Sequence, residues 1–151
     1  MADLALQNSG SSVALIKINN LNLILPQGEV RALESVSDID RTAASFPVLG
    51  KIRYAQSSWP VYCLSEDMQF MQDIPQQRRA CVLIPVSMGY IGILCDDMIV
   101  LKEFKSIPHE LPIAMRLPRT PILHLFEYES DIACASNSAK LTAYIEQLIT
   151  I

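Results

Sequence analysis

The feature that most constrains this chain is its rhythm: short apolar runs, cut by turn formers, with only one long helical period. Runs this short cannot build long helices, and their alternation argues for a β-rich architecture. "SVALIKINNLNLILP" reads as a hairpin, with Ala14, Ile16 and Ile18 on one face and Leu21, Leu23 and Leu25 on one face of the return strand. Asn19-Asn20 suits the positive φ angles of a two-residue turn, and Pro26 ends the second strand because it cannot donate to a ladder. "EVRALESV" is a third short strand, itself led by a turn, and "SDIDRTAASFP" is a loop. "GKIRYAQ" with "SWPVYCL" makes a further pair. "SEDMQFMQ" carries a capping-type Ser65 and early acids, which predicts one or two helical turns. "DIPQQRR" is a polar connector and the boundary expected between lobes.

The second half repeats the rhythm. "ACVLIPVS" and "YIGILCDD" flank a turn at Met88-Gly89, "MIVLKEF" continues the ladder, and a proline-rich stretch runs from Ile107 to Pro121. "PILHLFEYE" and "DIACAS" form a last strand pair. Asn137 or Ser138 then caps "AKLTAYIEQLI", whose Leu141, Tyr144, Ile145 and Leu148 form one apolar stripe facing the core. The expectation is a mainly β protein of roughly ten short antiparallel strands in two sets of five, with a C-terminal helix. Sets of five short strands tend to close into small barrels, because closure removes exposed edges. Residues 1–12 read as a flexible polar tail, and 13–151 as one domain of two barrel lobes.

Composition narrows the function. The formal net charge is -4, and Arg78-Arg79 is the only adjacent basic pair, so there is no patch to neutralise nucleic-acid or lipid phosphates. No stretch approaches the roughly 20 apolar residues of a membrane span, and the N-terminus lacks the h-region of a signal peptide, which points to a cytoplasmic protein without membrane insertion. Cys63, Cys81, Cys95 and Cys134 are scattered through apolar runs without zinc-ligand spacing, and read as small buried hydrophobes.

Catalytic chemistry is hard to assemble from what remains. Asp96-Asp97 is the most suggestive pair, but in an extended chain Asp96 lies with Leu94 and Gly92 while Asp97 lies with Cys95 and Ile93. Adjacent acids on opposite faces cannot share one site without a bulge. His109 sits in a loop and His124 in an apolar run, neither beside a visible partner. Five glycines form no phosphate loop, and no GxSxG elbow exists. Trp59 and Tyr62 either present an aromatic contact surface or pack on the adjoining loop, the second being the expectation. No catalytic, cofactor or metal residues are assigned, and a binding or scaffold role is favoured over an enzyme.

Three segments, "LNLILPQGEVRALE", "GKIRYAQSSWPVYCL" and "GYIGILCDDMIVLKEF", together resemble the CheW-like family, the coupling proteins of bacterial chemosensory arrays. Gly50 and Pro60-Val61 keep the family's ten-residue separation, and Gly92 and Asp96 match its second-barrel signature; these are framework positions. The resemblance spans Val13 to Ile149 and implies two five-stranded barrels of SH3-like or OB-like type. It also implies docking to the regulatory domain of a CheA-type histidine kinase and to a chemoreceptor tip, with Val30, Ala32, Val36, Arg53, Tyr54, Ala55 and Gln56 at the contact positions. Ala32 replaces the family's glutamate, and Arg53-Tyr54-Ala55-Gln56 replaces an Asn-Leu-Arg-Gly core. Those departures admit an alternative, a structural adaptor of the same fold serving type IV pilus or twitching-motility machinery, or itself.

Overall fold

The computed structural model describes residues 12–116 and 120–150, so the expected tail lies outside the described residues except for Ser12. Among the described residues there are ten strands and one α-helix: β1 (Val13–Ile18), β2 (Leu21–Pro26), β3 (Ala32–Ser35), β4 (Gly50–Tyr54), β5 (Ser57–Tyr62), β6 (Ala80–Val86), β7 (Gly89–Cys95), β8 (Asp97–Leu101), β9 (His124–Tyr128), β10 (Asp131–Ala135) and α1 (Ser138–Thr150). They form two five-stranded sheets, ordered β8-β1-β2-β10-β9 and β3-β6-β7-β5-β4. The expected mainly β class, with two sets of five strands and a C-terminal helix, is the observed one.

The sets are not the two halves of the chain. The N-terminal hairpin pairs with the C-terminal strands, β2 running parallel to β10. The described residues divide into two compact units: those up to Leu15, Asn22–Glu29 and those from Ile99 in one; Ile16–Leu21 and Val30–Met98 in the other. The polar connector at 73–79 therefore lies inside the second unit and separates nothing. Nor is the pairing wholly antiparallel, since β5 also runs parallel to β7.

The first unit packs Val13, Leu15, Ile24, Phe126, Ala133 and Ala135 into one cluster, with the Phe104 ring edge-on to Phe126 at 5.5 Å. Val13, Leu15 and Ile24 belong to the faces opposite those expected to be apolar. Both faces of β1 and β2 are buried, as their near-continuous apolar runs allow. Asn137 caps α1, its Oδ1 accepting from the Lys140 amide at 2.8 Å, and Leu141 and Ile145 are the buried positions of the stripe.

The second unit is centred on Leu49, Ile52, Val61, Cys63, Cys81, Leu83 and Leu94. Two glycines permit its closest approaches. A Cβ on Gly50 would stand 2.5 Å from Ile39 Cγ2, and one on Gly92 2.7 Å from Cys81 Sγ. Trp59 packs edge-on to Tyr90 at 5.4 Å and donates its indole N–H to the Tyr54 carbonyl at 2.8 Å, while Tyr62 lies against Phe70. Packing, as expected, accounts for both residues.

Three local readings are revised. The segment after Ser65 is not helical: Ser65 Oγ accepts from the Asp67 and Gln69 amides, but buried Met68 takes φ 63°, and Leu64 bridges Phe70. Burying Met68 and pairing Phe70 outweigh a one-turn helix too short to be stable alone. The β6–β7 turn is Ser87-Met88, one residue earlier than expected, with Gly89 opening β7. Ala55 and Gln56 are not strand residues; both have positive φ (52° and 68°) and form the two-residue turn between β4 and β5.

That turn has the backbone of type I′, which favours Asn-Gly and strains residues with a Cβ. The double substitution Ala55→Asn with Gln56→Gly is expected to raise unfolding free energy by roughly 1–2 kcal/mol in urea titrations at unchanged m-value. No increase would show that the turn is relaxed as it stands.

Candidate functional site

Asp96 and Asp97 have separate environments. Asp97 begins β8, is exposed, and accepts the Met98 amide on Oδ1 at 2.8 Å. Asp96 lies between β7 and β8 and takes part in the most elaborate polar arrangement of the second unit. Its Oδ1 receives Arg78 Nε at 2.8 Å, its Oδ2 accepts the Asn19 amide at 2.8 Å, and its own amide donates to the Lys17 carbonyl at 2.7 Å. Arg78 is 1% exposed. Its Nη1 donates to the Leu64 carbonyl at 2.8 Å and to Cys63 Sγ at 3.2 Å, and Nη2 donates to Asn19 Oδ1.

One guanidinium thus joins the β1–β2 turn, the end of β5 and the end of β7. Its planar fork suits this role: three nitrogens reach three elements in fixed directions, which an ammonium on a flexible stem cannot match. The arrangement orders backbone. It offers no general acid/base pair, and no group of three or more metal-ligating side chains occurs among the described residues. Arg78 carried no functional reading in the sequence, because nothing in "QQRR" distinguishes the buried Arg78 from the exposed Arg79.

The cysteines are free, with Cys63, Cys81 and Cys95 buried and Cys134 half-buried. Burial pushes the Cys81 and Cys95 thiols up to about 12, helped by the neighbouring thiol for Cys81 and by Asp96 and Asp97 for Cys95. Burial also raises Cys63, outweighing the opposing pull of Arg78. This is the environment of structural, unreactive thiols.

The positions assigned to partner contact fall into two groups. Ala32, Val36 and Tyr54 pack against the second unit's core. Arg53 is exposed on β4, and Ala55 and Gln56 are exposed at the turn, while Val30 is half-buried just before β3. The two stretches belong to opposite edges of one sheet, β3 and β4. Two residues not singled out from sequence complete the surface. Leu33 is 44% exposed on β3, and Glu34 lines a groove of about 490 Å³ with Asp38, Asp40, Lys51, Arg53 and Ser58. Alternation along "ALESV", which places Glu34 on the inner face between Ala32 and Val36, could have revealed the carboxylate.

This architecture recurs in a known structure. The fold is similar to that of the scaffolding protein TtCheW from Thermoanaerobacter tengcongensis, with a TM-score of 0.63 and 10% sequence identity over 83% of this chain and 88% of that one. The chain has a CheW-like fold. No protein-family model and no curated protein matches it by sequence. No helix among the described residues is long and apolar enough to cross a membrane.

Arg78→Met removes a buried cation, strands the Leu64 carbonyl and leaves a partly exposed carboxylate, and should cost about 3 kcal/mol of unfolding free energy by denaturant titration. A loss below about 1 kcal/mol would show the network to be incidental. At pH 9 a thiol with a pKa of about 12 is ionised only to the order of a thousandth. Cys81 and Cys95 should therefore resist iodoacetamide in the native chain at pH 9 and react on unfolding, as read by intact mass. Rapid native alkylation at either would contradict their burial.

Proposed function

We propose that this chain is a non-enzymatic adaptor of chemosensory signalling, coupling a chemoreceptor tip to the regulatory domain of a CheA-type histidine kinase. The observation that carries the reading is the likeness of fold, over 83% of the chain, to a protein described as a scaffold. The surface chemistry supports it. Edge strand β3 exposes an apolar side chain, Leu33, and edge strand β4 exposes Arg53 beside a projecting turn. Free strand edges and apolar grooves are what strand addition and helix-in-groove recognition use. On this reading Val30, Arg53, Ala55 and Gln56 touch the partner, whereas Ala32, Val36 and Tyr54 set the shape of the edges from beneath. Gly50, Pro60, Val61, Gly92 and Asp96 serve the framework. The cytoplasm is the compartment such a role requires.

The test is a calorimetric titration of the cognate kinase's regulatory domain into the chain. Saturable binding is expected, and Leu33→Lys should weaken it by about tenfold or more, the scale of a buried apolar anchor, at an unchanged melting profile. Absence of binding by the unaltered chain at high micromolar concentration would overturn the proposal.

A further inference from the structure

The sheet of the second unit ends in β3 and β4, and the groove between these strands is lined by side chains from both. The hydrogen-bond register shows which backbone groups face it. The two-residue turn makes Tyr54 and Ser57 the bonded pair that closes the β4–β5 hairpin, so Ile52 also turns its N–H and C=O toward β5. Lys51 and Arg53 then present theirs outward. Two facts agree with this register. Asp40 and Lys51 exchange both backbone hydrogen bonds on that outer side, at 2.8 and 2.9 Å. Pro60, which has no N–H, lies opposite Lys51 in the ladder. Asp40 therefore covers the first outward position of β4 and leaves the next, Arg53, open. On β3, Val36 donates to the Arg79 carbonyl at 2.9 Å, which puts Glu34 in bonded register with β6 and turns the Leu33 and Ser35 backbone outward.

Charge is divided across the same groove. Lys51 and Arg53 stand on the β4 side; Glu34 and Asp38 stand on the other, while the Asp40 carboxylate is already engaged by Thr42, with Oγ1 at 2.6 Å. We infer that an extended segment of the partner adds to β4 at Arg53, in line with Asp40, placing an acidic side chain beside Arg53 and a basic one toward Glu34. Cross-strand neighbours of opposite charge stabilise such a pair, and main-chain hydrogen bonds supply affinity. The inference rests on the adaptor reading for the partner's identity, the kinase regulatory domain, and adds the mode of contact.

Two variants separate backbone from side chain. Arg53→Pro removes the outward N–H without touching the β4–β5 ladder, and an edge strand tolerates proline there. Arg53→Ala keeps the N–H and removes the charge. In titrations with the kinase regulatory domain, Arg53→Pro should weaken binding roughly tenfold or more, and Arg53→Ala by about threefold or less. In the unaltered chain, hydrogen exchange of the Arg53 amide should be fast when free and slow in the complex, a readout independent of how the proline variant folds. Binding with the Arg53 amide still exchanging fast would overturn strand addition and leave the adaptor reading standing. No binding at all would overturn both.

Discussion

The buried Arg78 guanidinium is the interaction on which the second unit's order depends. Taking a full charge out of water costs several kcal/mol, and the chain offsets this by aiming one carboxylate, one side-chain carbonyl, one backbone carbonyl and one thiol at its nitrogens. The four acceptors come from three separate stretches of sequence: Cys63-Leu64, Asn19 and Asp96. Well-packed hydrophobic side chains in place of the whole network can match its energy, but they would not dictate where three polar strand ends must sit. The network defines a geometry. It holds the Asn19 turn, with its positive φ of 54°, against the end of β7, and it does so through Asp96, a framework position with no catalytic reading.

This explains why the strands were legible in the sequence and their partners were not. Alternation, prolines and the Asn-Asn turn mark where strands begin and end, and those are local properties. Which strand lies beside which depends on contacts between distant residues, such as the parallel pairing of Leu23 with Cys134 and of Val61 with Gly92. A rhythm repeated in two halves therefore suggested two halves, whereas the chain sends its first hairpin to its last strands. The local misreadings have the same origin. Ser65 does accept amide hydrogen bonds as an N-cap would, but tertiary burial of Met68 decides the backbone. Ala55-Gln56 contains neither Gly nor Asn, so the turn is imposed by the strands on either side and not by its own chemistry.

The candidate site was legible only in part, for a related reason. Positions carried over by resemblance located two stretches, and these proved to be opposite edges of one sheet. Resemblance does not say which side chains point inward. Partial burial against the core makes Ala32, Val36 and Tyr54 part of the surface's support, and exposure makes Leu33 and Arg53 its face. Arg78 was invisible because an arginine in a polar connector is ordinarily solvated, and only the convergence of distant acceptors makes its burial affordable.

Edges are a hazard for any open sheet, and this chain treats its edges unequally. His109 exchanges backbone hydrogen bonds with Leu125 on β9, and Asp40 does so with Lys51 on β4, so each sheet has one edge strand partly covered by a single bridging residue. At β3 and the remainder of β4 the device is charge. Glu34 sits at the groove from the inner face of β3, and Lys51 and Arg53 stand along β4, so a neutral or like-charged strand meets unpaired ions whichever edge it approaches. Only a strand carrying the complementary charges gains the main-chain hydrogen bonds without that penalty. On the proposed adaptor reading, the same side chains that discourage indiscriminate pairing also select the partner, two properties such a role needs at one edge.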